Sequence, residues 1–352
     1  MDRRNNFDLL RLVAALSVIF SHAFLLAENS QDHDPLMLLT GGQAILGLAG
    51  AFVFFTISGY LITQSFETTA SPLIFLAKRA LRIFPGLILC LLVCVFVIGP
   101  LITKLPLPEY FSRRETFLFL LRNAVLDVEY NRLPGVEFWP HNMGGIVNGP
   151  LWSLPCEALL YLMVFVLGLC RLLTLPVCAL LLAIGTAAVW LDTAGDTFGS
   201  ALWLLGFFAA GMCCYRLRGA FGAWKLVDGR WALLALALLA LSIPARLFLV
   251  AFPLCGGYLT IYLALNNKLP NLRAARFGDL SYGLYIYGWP VEQCVVWYSG
   301  AAAPWWVVFL VSAPVTAAIA FLSWHLIERP SRWRSRRPKV EPALAAPAMA
   351  RN

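Results

Sequence analysis

The chain has 352 residues, of which 60% are hydrophobic and only 13% charged, where a soluble domain carries roughly 25% charge. A soluble fold of this length needs a polar skin, so one large water-soluble core is excluded and a chain built for lipid is expected. The net charge of +8 does not point to nucleic acid, because the 27 Lys and Arg are scattered between apolar stretches.

About 20 consecutive apolar residues are enough to span the hydrocarbon layer, and the sequence has many such runs. The first, 7–27, carries Arg11 and His22 and lacks a small-residue cleavage site. It is expected to stay as a helix and not to be removed as a signal peptide. Arg11 and His22 are eleven positions apart, within about 20° of three full turns, so they share one helix face roughly 16 Å apart along the axis. An ionisable residue inside a span costs roughly 2.5–3.5 kcal/mol and is a functional suspect by default. The plainer reading is that Arg11 reaches to the headgroups at one end and His22 sits at the other interface.

The second span is expected over 41–66 and the third over 83–103. Between them stands Leu76-Ala-Lys78-Arg79-Ala-Leu-Arg82-Ile-Phe-Pro85. Arg79 and Arg82 share a helix face at the membrane surface and are suited to bidentate contact with phosphate oxygens, or serve simply as a cytoplasmic anchor. The stretch 104–149 is the one long hydrophilic insertion. Its Glu115–Asp127 piece is amphipathic and expected on the membrane surface, and Asn131–Pro150 reads as an irregular loop rich in Gly, Pro and Asn.

The fourth span, 150–170, opens with Asn148-Gly-Pro-Leu-Trp152-Ser153-Leu-Pro-Cys-Glu157-Ala-Leu-Leu-Tyr161. Counted from the helix ends, Glu157 and His22 come to similar depth. A carboxylate that orients an imidazole and stabilises its charged form is general-base apparatus. The alternative is a Glu157 satisfied by Asn148 or a tyrosine. Further spans are expected over 172–191, 198–215, 230–244, 247–265, 278–298 and 305–326, with Pro244 and Arg246 interrupting the 230–265 region. Tyr282, Tyr285 and Tyr287, and Trp305 and Trp306, fit interfacial aromatics. His33 and His141 fall in outer loops, His141 within reach of an acceptor. His325 reads as interfacial, and Glu328-Arg329 as a surface ion pair before Pro330.

With the N-terminus in the cytoplasm, thirteen basic residues from Arg3 to Arg276 and seven in the C-terminal segment lie inside, against six outside. Both termini inside require an even number of spans, and ten fits. The expected fold is therefore an all-α polytopic membrane protein of about ten transmembrane helices with both termini cytoplasmic. One transmembrane domain covers 1–335, and an Ala/Pro-rich tail over 336–352 is expected to be disordered. The nine cysteines show no CxxC pair or Cys/His ligand spacing, so neither zinc nor a disulfide framework is indicated, and they read as small buried hydrophobes.

Taken in order, the pieces are the Arg11/His22 spacing, Phe54-Phe-Thr-Ile-Ser58-Gly59-Tyr60, the Arg79/Arg82 pair, Trp152-Ser-Leu-x-x-Glu157-x-x-x-Tyr161, Ser281-Tyr-Gly-Leu-Tyr285 and Ile327-Glu328-Arg329-Pro330. The ordered set resembles the acyltransferase 3 family of bacterial membrane O-acyltransferases over residues 5–335. That resemblance implies a multi-pass protein of the bacterial cytoplasmic (inner) membrane. It implies acyl-CoA, usually acetyl-CoA, as donor substrate with no permanently bound cofactor, and a hydroxyl of a glycan or lipid-linked sugar as acceptor. By matched position, His22 resembles the catalytic base and Glu157 its catalytic or structural partner. Arg11, Arg79 and Arg82, with Ser58 and Tyr60 beside them, resemble donor-site residues. Trp152, Ser153, Asn148 and His141 are the candidates for contact with the acceptor. Some relatives carry an additional C-terminal esterase-like domain, for which this chain is too short. Cys156, Ser153 and Ser58 are conceivable covalent relays, though direct attack on the thioester needs none. The same motifs permit succinyl or longer acyl transfer to a glucan or macrolide. A membrane carrier with Arg11, His22 and Glu157 along a polar path is the rival class, although no internal symmetry of the kind carriers show is visible.

Overall fold

The computed structural model describes residues 5–138, 145–222, 227–266, 268, 274–300 and 302–334. His141, the 336–352 segment and several basic residues used for orientation, Arg3, Arg4, Lys225 and Arg273 among them, lie outside the described residues.

The chain runs through α1 (Phe7–Glu28), α2 (Leu46–Thr68), α3 (Pro72–Val93) and a short amphipathic α4 (Arg114–Ala124). It continues through α5 (Ser153–Leu169), α6 (Leu175–Trp190), α7 (Thr197–Phe221) and α8 (Gly229–Ser242). It closes with α9 (Phe248–Leu265), α10 (Ser281–Tyr298) and α11 (Trp305–Ser323). A π turn, Cys94–Ile98, carries α3 on to Ile102, and a second, Trp324–Glu328, carries α11 on into Arg329–Arg334. Among the described residues there is no strand, only an isolated bridge between Ala194 and Asp196. Seven of these segments are long and apolar enough to cross a membrane, while α6 and α8 are apolar but shorter. Large apolar side chains face outward, Leu233 at 70% and Leu310 at 61% exposure among them. In water that would be costly, and in lipid it is the expected surface, because helices satisfy their backbone groups internally. The chain is a polytopic, all-helical membrane protein.

Two boundaries differ from the sequence reading in ways that matter. α3 begins at Pro72 and not at 83, so Arg79 and Arg82 lie in one continuous helix with the third apolar run. Proline at the first helical position is pre-organised for that start, and Pro85 within the helix does not end it. The 230–265 region divides into α8 and α9 at a turn where Arg246 takes a positive φ of 60°. That turn is tied to the loop after α1 by Gln43 Nε2 on the Ile243 carbonyl, 2.9 Å, and by Arg246 on the Gly41 carbonyl.

α1 packs against α2, α10 and α11, and α7 against α2, α5, α6 and α9. Close approach needs glycine along α2, at Gly47 and Gly59 among other positions. A Cβ at Gly47 would lie 2.8 Å from Ser21 Cβ of α1, and one at Gly59 would overlap the Phe208 carbonyl of α7. α1 ends where Asn29 takes a left-handed conformation with φ 54°, turning the chain back toward the bundle. Asp34, buried, then accepts from Ser21 Oγ at 2.6 Å and from the backbone N–H of Leu36 and Leu46, each at 2.9 Å. The loop is thereby pinned to the residue next to His22.

Candidate functional site

Two cavities lie inside the bundle. One, of about 90 Å³, is lined by Arg11, Ser58, Arg79, Arg82, Glu157 and Tyr161 with apolar side chains of α2 and α5. The other, of about 420 Å³, is lined by His22, Gln31, Asn131, Asn148, Trp152 and Trp289. Ala51 and Tyr285 line both.

At the first cavity the charges are mostly paired with one another. Asp279, in the turn before α10, is bonded to Arg82 and stands 3.5 Å from Arg11 and 3.6 Å from Arg332. Ser281 Oγ donates to its other oxygen at 2.8 Å. Burial pushes the Asp279 carboxyl up, but the three guanidinium groups outweigh it and hold the group well below the usual carboxylate range. Arg11 is also paired with Asp8, one turn earlier. Glu328 is buried, accepts from Ser323 Oγ at 3.2 Å and pairs with Arg332 at 3.2 Å, not with Arg329. The surface pair expected at Glu328-Arg329 is thus replaced by an interior one, because the π turn rotates Glu328 inward. Arg79 differs from its neighbours. It has no carboxylate within ion-pair reach among the described residues, and its guanidinium lies 5.9 Å from the ring centres of Phe75 and Tyr161.

Glu157 belongs to this cavity and does not line the one that holds His22, so the expected Glu157–His22 partnership is absent. It accepts from Tyr161, one turn along the same helix, and from Ser58 Oγ at 3.5 Å. Counting along two helices fixes depth but not the direction each side chain faces, and α5 turns Glu157 toward α2 and α3. Tyr60 is also elsewhere. It is fully buried, its ring lies 5.3 Å from Phe7, and its hydroxyl accepts from Arg218 at 2.6 Å. It follows Ser58 by two positions, which on a helix is about 200° around the axis.

At the second cavity His22 is met by a carboxylate the sequence reading did not single out. Glu292 of α10 is fully buried, and its Oε2 stands 3.5 Å from His22 Nδ1. Among the described residues neither of its oxygens has a hydrogen-bond partner. The indole of Trp289, one turn earlier, meets the imidazole edge-on at 4.9 Å, and its Nε1 donates to the Ile146 carbonyl at 3.1 Å. Asn148 Nδ2 donates to the Ile286 carbonyl at 2.9 Å, which ties the start of α5 to α10. Trp152 is 38% exposed and presents a face to the cavity. The signal for Glu292 was in the sequence, since it is an ionisable residue inside an apolar run, the same ground on which Arg11 and His22 were chosen. Asp279, at the edge of the span expected over 278–298, carried the same signal more weakly, while Gln31 and Trp289 are recruited by the fold alone.

Ser153 lines the first cavity, where its Oγ shares a 2.6 Å hydrogen bond with Tyr285 Oη. Cys156 is buried, with Sγ 3.6 Å from the Trp152 and Thr197 carbonyls, and lines neither cavity. Tyr282 and Tyr287 are buried, and Tyr282 Oη donates to the Ile83 carbonyl at 2.6 Å, so these are interior groups and not interfacial ones. Trp305 stacks on Phe24 at 4.3 Å. His33 pairs with Glu28 at the surface, and His325 is half-buried beside the Phe321 carbonyl.

The chain matches the family described as "Acyltransferase domain" over residues 4–325. It is similar to an O-acetyl transferase of Shigella phage Sf6, 30% identical over 346 residues that cover 94% of this chain and 96% of the relative. It is also similar to Nodulation protein 10 of Rhizobium leguminosarum bv. viciae, 30% identical over 376 residues that cover 93% of each. No solved structure matches it.

Proposed function

The chain belongs to this acyltransferase family, and from that premise we propose that it moves an acyl group, acetyl first of all, from acyl-CoA to a hydroxyl of a glycan, with His22 as general base. The observation that carries the reading is the pair of unlike cavities that share Ala51 and Tyr285 in their lining. One offers guanidinium groups, as phosphates require. The other offers an imidazole among indole faces and carboxamides, as a sugar requires. The carrier alternative is set aside, because the family is one of acyltransferases.

The phosphates of CoA sit against Arg79, which makes no direct ion pair among the described residues, with Arg11 and Arg82 held beside it by Asp279. Glu157 and Ser58 fix the Tyr161 hydroxyl under Arg79 and so belong to the donor side. The pantetheine arm runs toward Tyr285 and presents the thioester to the second cavity. His22 takes the proton of the acceptor hydroxyl, whose oxygen bonds to the thioester carbon. The C–S bond then breaks, and the proton passes from His22 to the departing sulfur. Glu292, beside Nδ1, stabilises the charge that the ring holds in between. No acyl-enzyme is needed.

Orientation is part of the proposal. α6, α8 and α10 join the seven longer segments as spans, making ten. Both termini are cytoplasmic, in a bacterial inner membrane, so the arginine cavity faces the CoA pool and the His22 cavity the exported glycan. The name of the phage relative supports acetyl as the group transferred. Purified protein incubated with radiolabelled acetyl-CoA and lipid-linked sugars tests the reading. Label on a sugar, lost in His22→Ala, is expected. A wild type that labels no sugar, or a His22→Ala variant that labels normally, overturns it.

A further inference from the structure

The two cavities differ in size, about 90 and 420 Å³, and among the described residues they share two lining side chains, Ala51 of α2 and Tyr285 of α10. Tyr285 is not free to move aside. Its hydroxyl is held by Ser153 Oγ at 2.6 Å and donates to the Pro150 carbonyl at 3.1 Å, and its ring packs on Phe54 at 5.8 Å between centres. Ala51 is fixed as firmly, since Gly50 beside it lies hard against Ser17 and the Ala14 carbonyl of α1. The side chains common to both cavities are therefore a small methyl and a pinned phenol.

We propose that Ala51 and Tyr285 form a neck that the acyl group enters from the arginine side, and that this neck selects small acyl groups, acetyl above butyryl. The inference rests on the donor reading given above and adds the residues that set its acyl specificity. The reasoning is steric. A thioester carbon that must reach His22 from the arginine cavity comes past these two side chains, and its acyl chain has to fit between them. A close-packed wall resists one added methylene by roughly 10–200-fold. A larger residue at 51 blocks the passage, and a smaller one opens it. Freeing the Tyr285 hydroxyl lets the ring yield.

The test measures binding, so that it does not depend on the identity of the sugar. Free CoA, acetyl-CoA and butyryl-CoA compete against radiolabelled acetyl-CoA on the purified full-length protein in detergent. The wild type is expected to bind acetyl-CoA at least about tenfold more tightly than butyryl-CoA. Ala51→Gly and Tyr285→Phe should each bring the two affinities together by about fivefold or more. Ala51→Leu should weaken acetyl-CoA by about tenfold while free CoA, held by its phosphates, binds as before. Equal binding of the two acyl-CoAs by the wild type overturns the neck and leaves the acyltransferase reading standing. So does a ratio unmoved by Ala51→Gly, which decides the matter even where Ala51→Leu does not fold. A wild type that binds neither acyl-CoA nor free CoA overturns the donor reading and the neck with it.

Discussion

The arginine end and the histidine end of the bundle use charge in opposite ways. At the arginine end Asp279 and Glu328 tie Arg11, Arg82 and Arg332 into one network, and the one cavity-lining arginine without a carboxylate in reach is Arg79. At the histidine end Glu292 sits fully buried 3.5 Å from His22, with neither oxygen hydrogen-bonded among the described residues. A buried charge that is fully paired holds architecture, and one left partly unsatisfied is available to chemistry. On the proposed function, catalysis falls to the poorly satisfied end, and within the other end Arg79 binds while Arg11, Arg82 and Arg332 brace.

The largest expected effect falls on the histidine end. His22→Ala should lower acyl transfer by about 10²–10⁴-fold while CoA affinity stays at the wild-type value, read by sugar labelling and competition binding. Equal losses in both would merge the two ends into one site. Glu292→Gln, which keeps shape but removes the charge, should cost about 10–10²-fold in transfer. Combined with His22→Ala it should add little, because residues acting as a unit are not additive. Glu157→Gln belongs to the other end, and a transfer defect without any change in CoA affinity would return it to His22.

Within the arginine end, Arg79→Ala should weaken CoA binding by about tenfold or more, since a charge-assisted contact contributes roughly 1.5–3 kcal/mol. Arg82→Ala should show first as lost thermal stability, because it removes a counter-charge of Asp279. Asp279→Asn sharpens the distinction further. It leaves three guanidinium groups without their shared carboxylate and should destabilise the protein by about 3 kcal/mol in thermal or denaturant unfolding. The sign with pH follows from a carboxyl held below its ordinary range. The Asp279 contribution is present in full above its ordinary value of 3.8 and is lost as the pH falls below that, so the two proteins should converge in stability only in strong acid. The smallest effect is expected from Tyr60→Phe, which removes the bond from Arg218 outside both cavities and should change CoA affinity by no more than about twofold.

Much of this was legible without coordinates. Hydropathy is a sum over consecutive residues, so α1, α2, α5, α7, α9 and α11 announced themselves within a few positions of their ends. The shared face of Arg11 and His22 followed from helical period alone, and each lines a cavity. α3 was started at 83, eleven residues late, because Lys78, Arg79 and Arg82 interrupt its apolar run, although the helix itself begins at Pro72. The family resemblance was carried by ordered motifs and is matched over residues 4–325.

What the sequence by itself determined is the all-helical membrane class, the place of most apolar segments and the residue types too costly to bury without a task. Those properties depend on composition and on spacing along one helix. Which carboxylate meets His22 was decided only by the packing of α10 against α1, with Glu292 reaching across and Glu157 turned toward α2 and α3. The union of Arg11, Arg82 and Arg332 on Asp279 likewise joins residues from four distant segments. Depth in a membrane can be counted along a chain, but the azimuth of each helix is fixed by neighbours that the chain meets only when it folds.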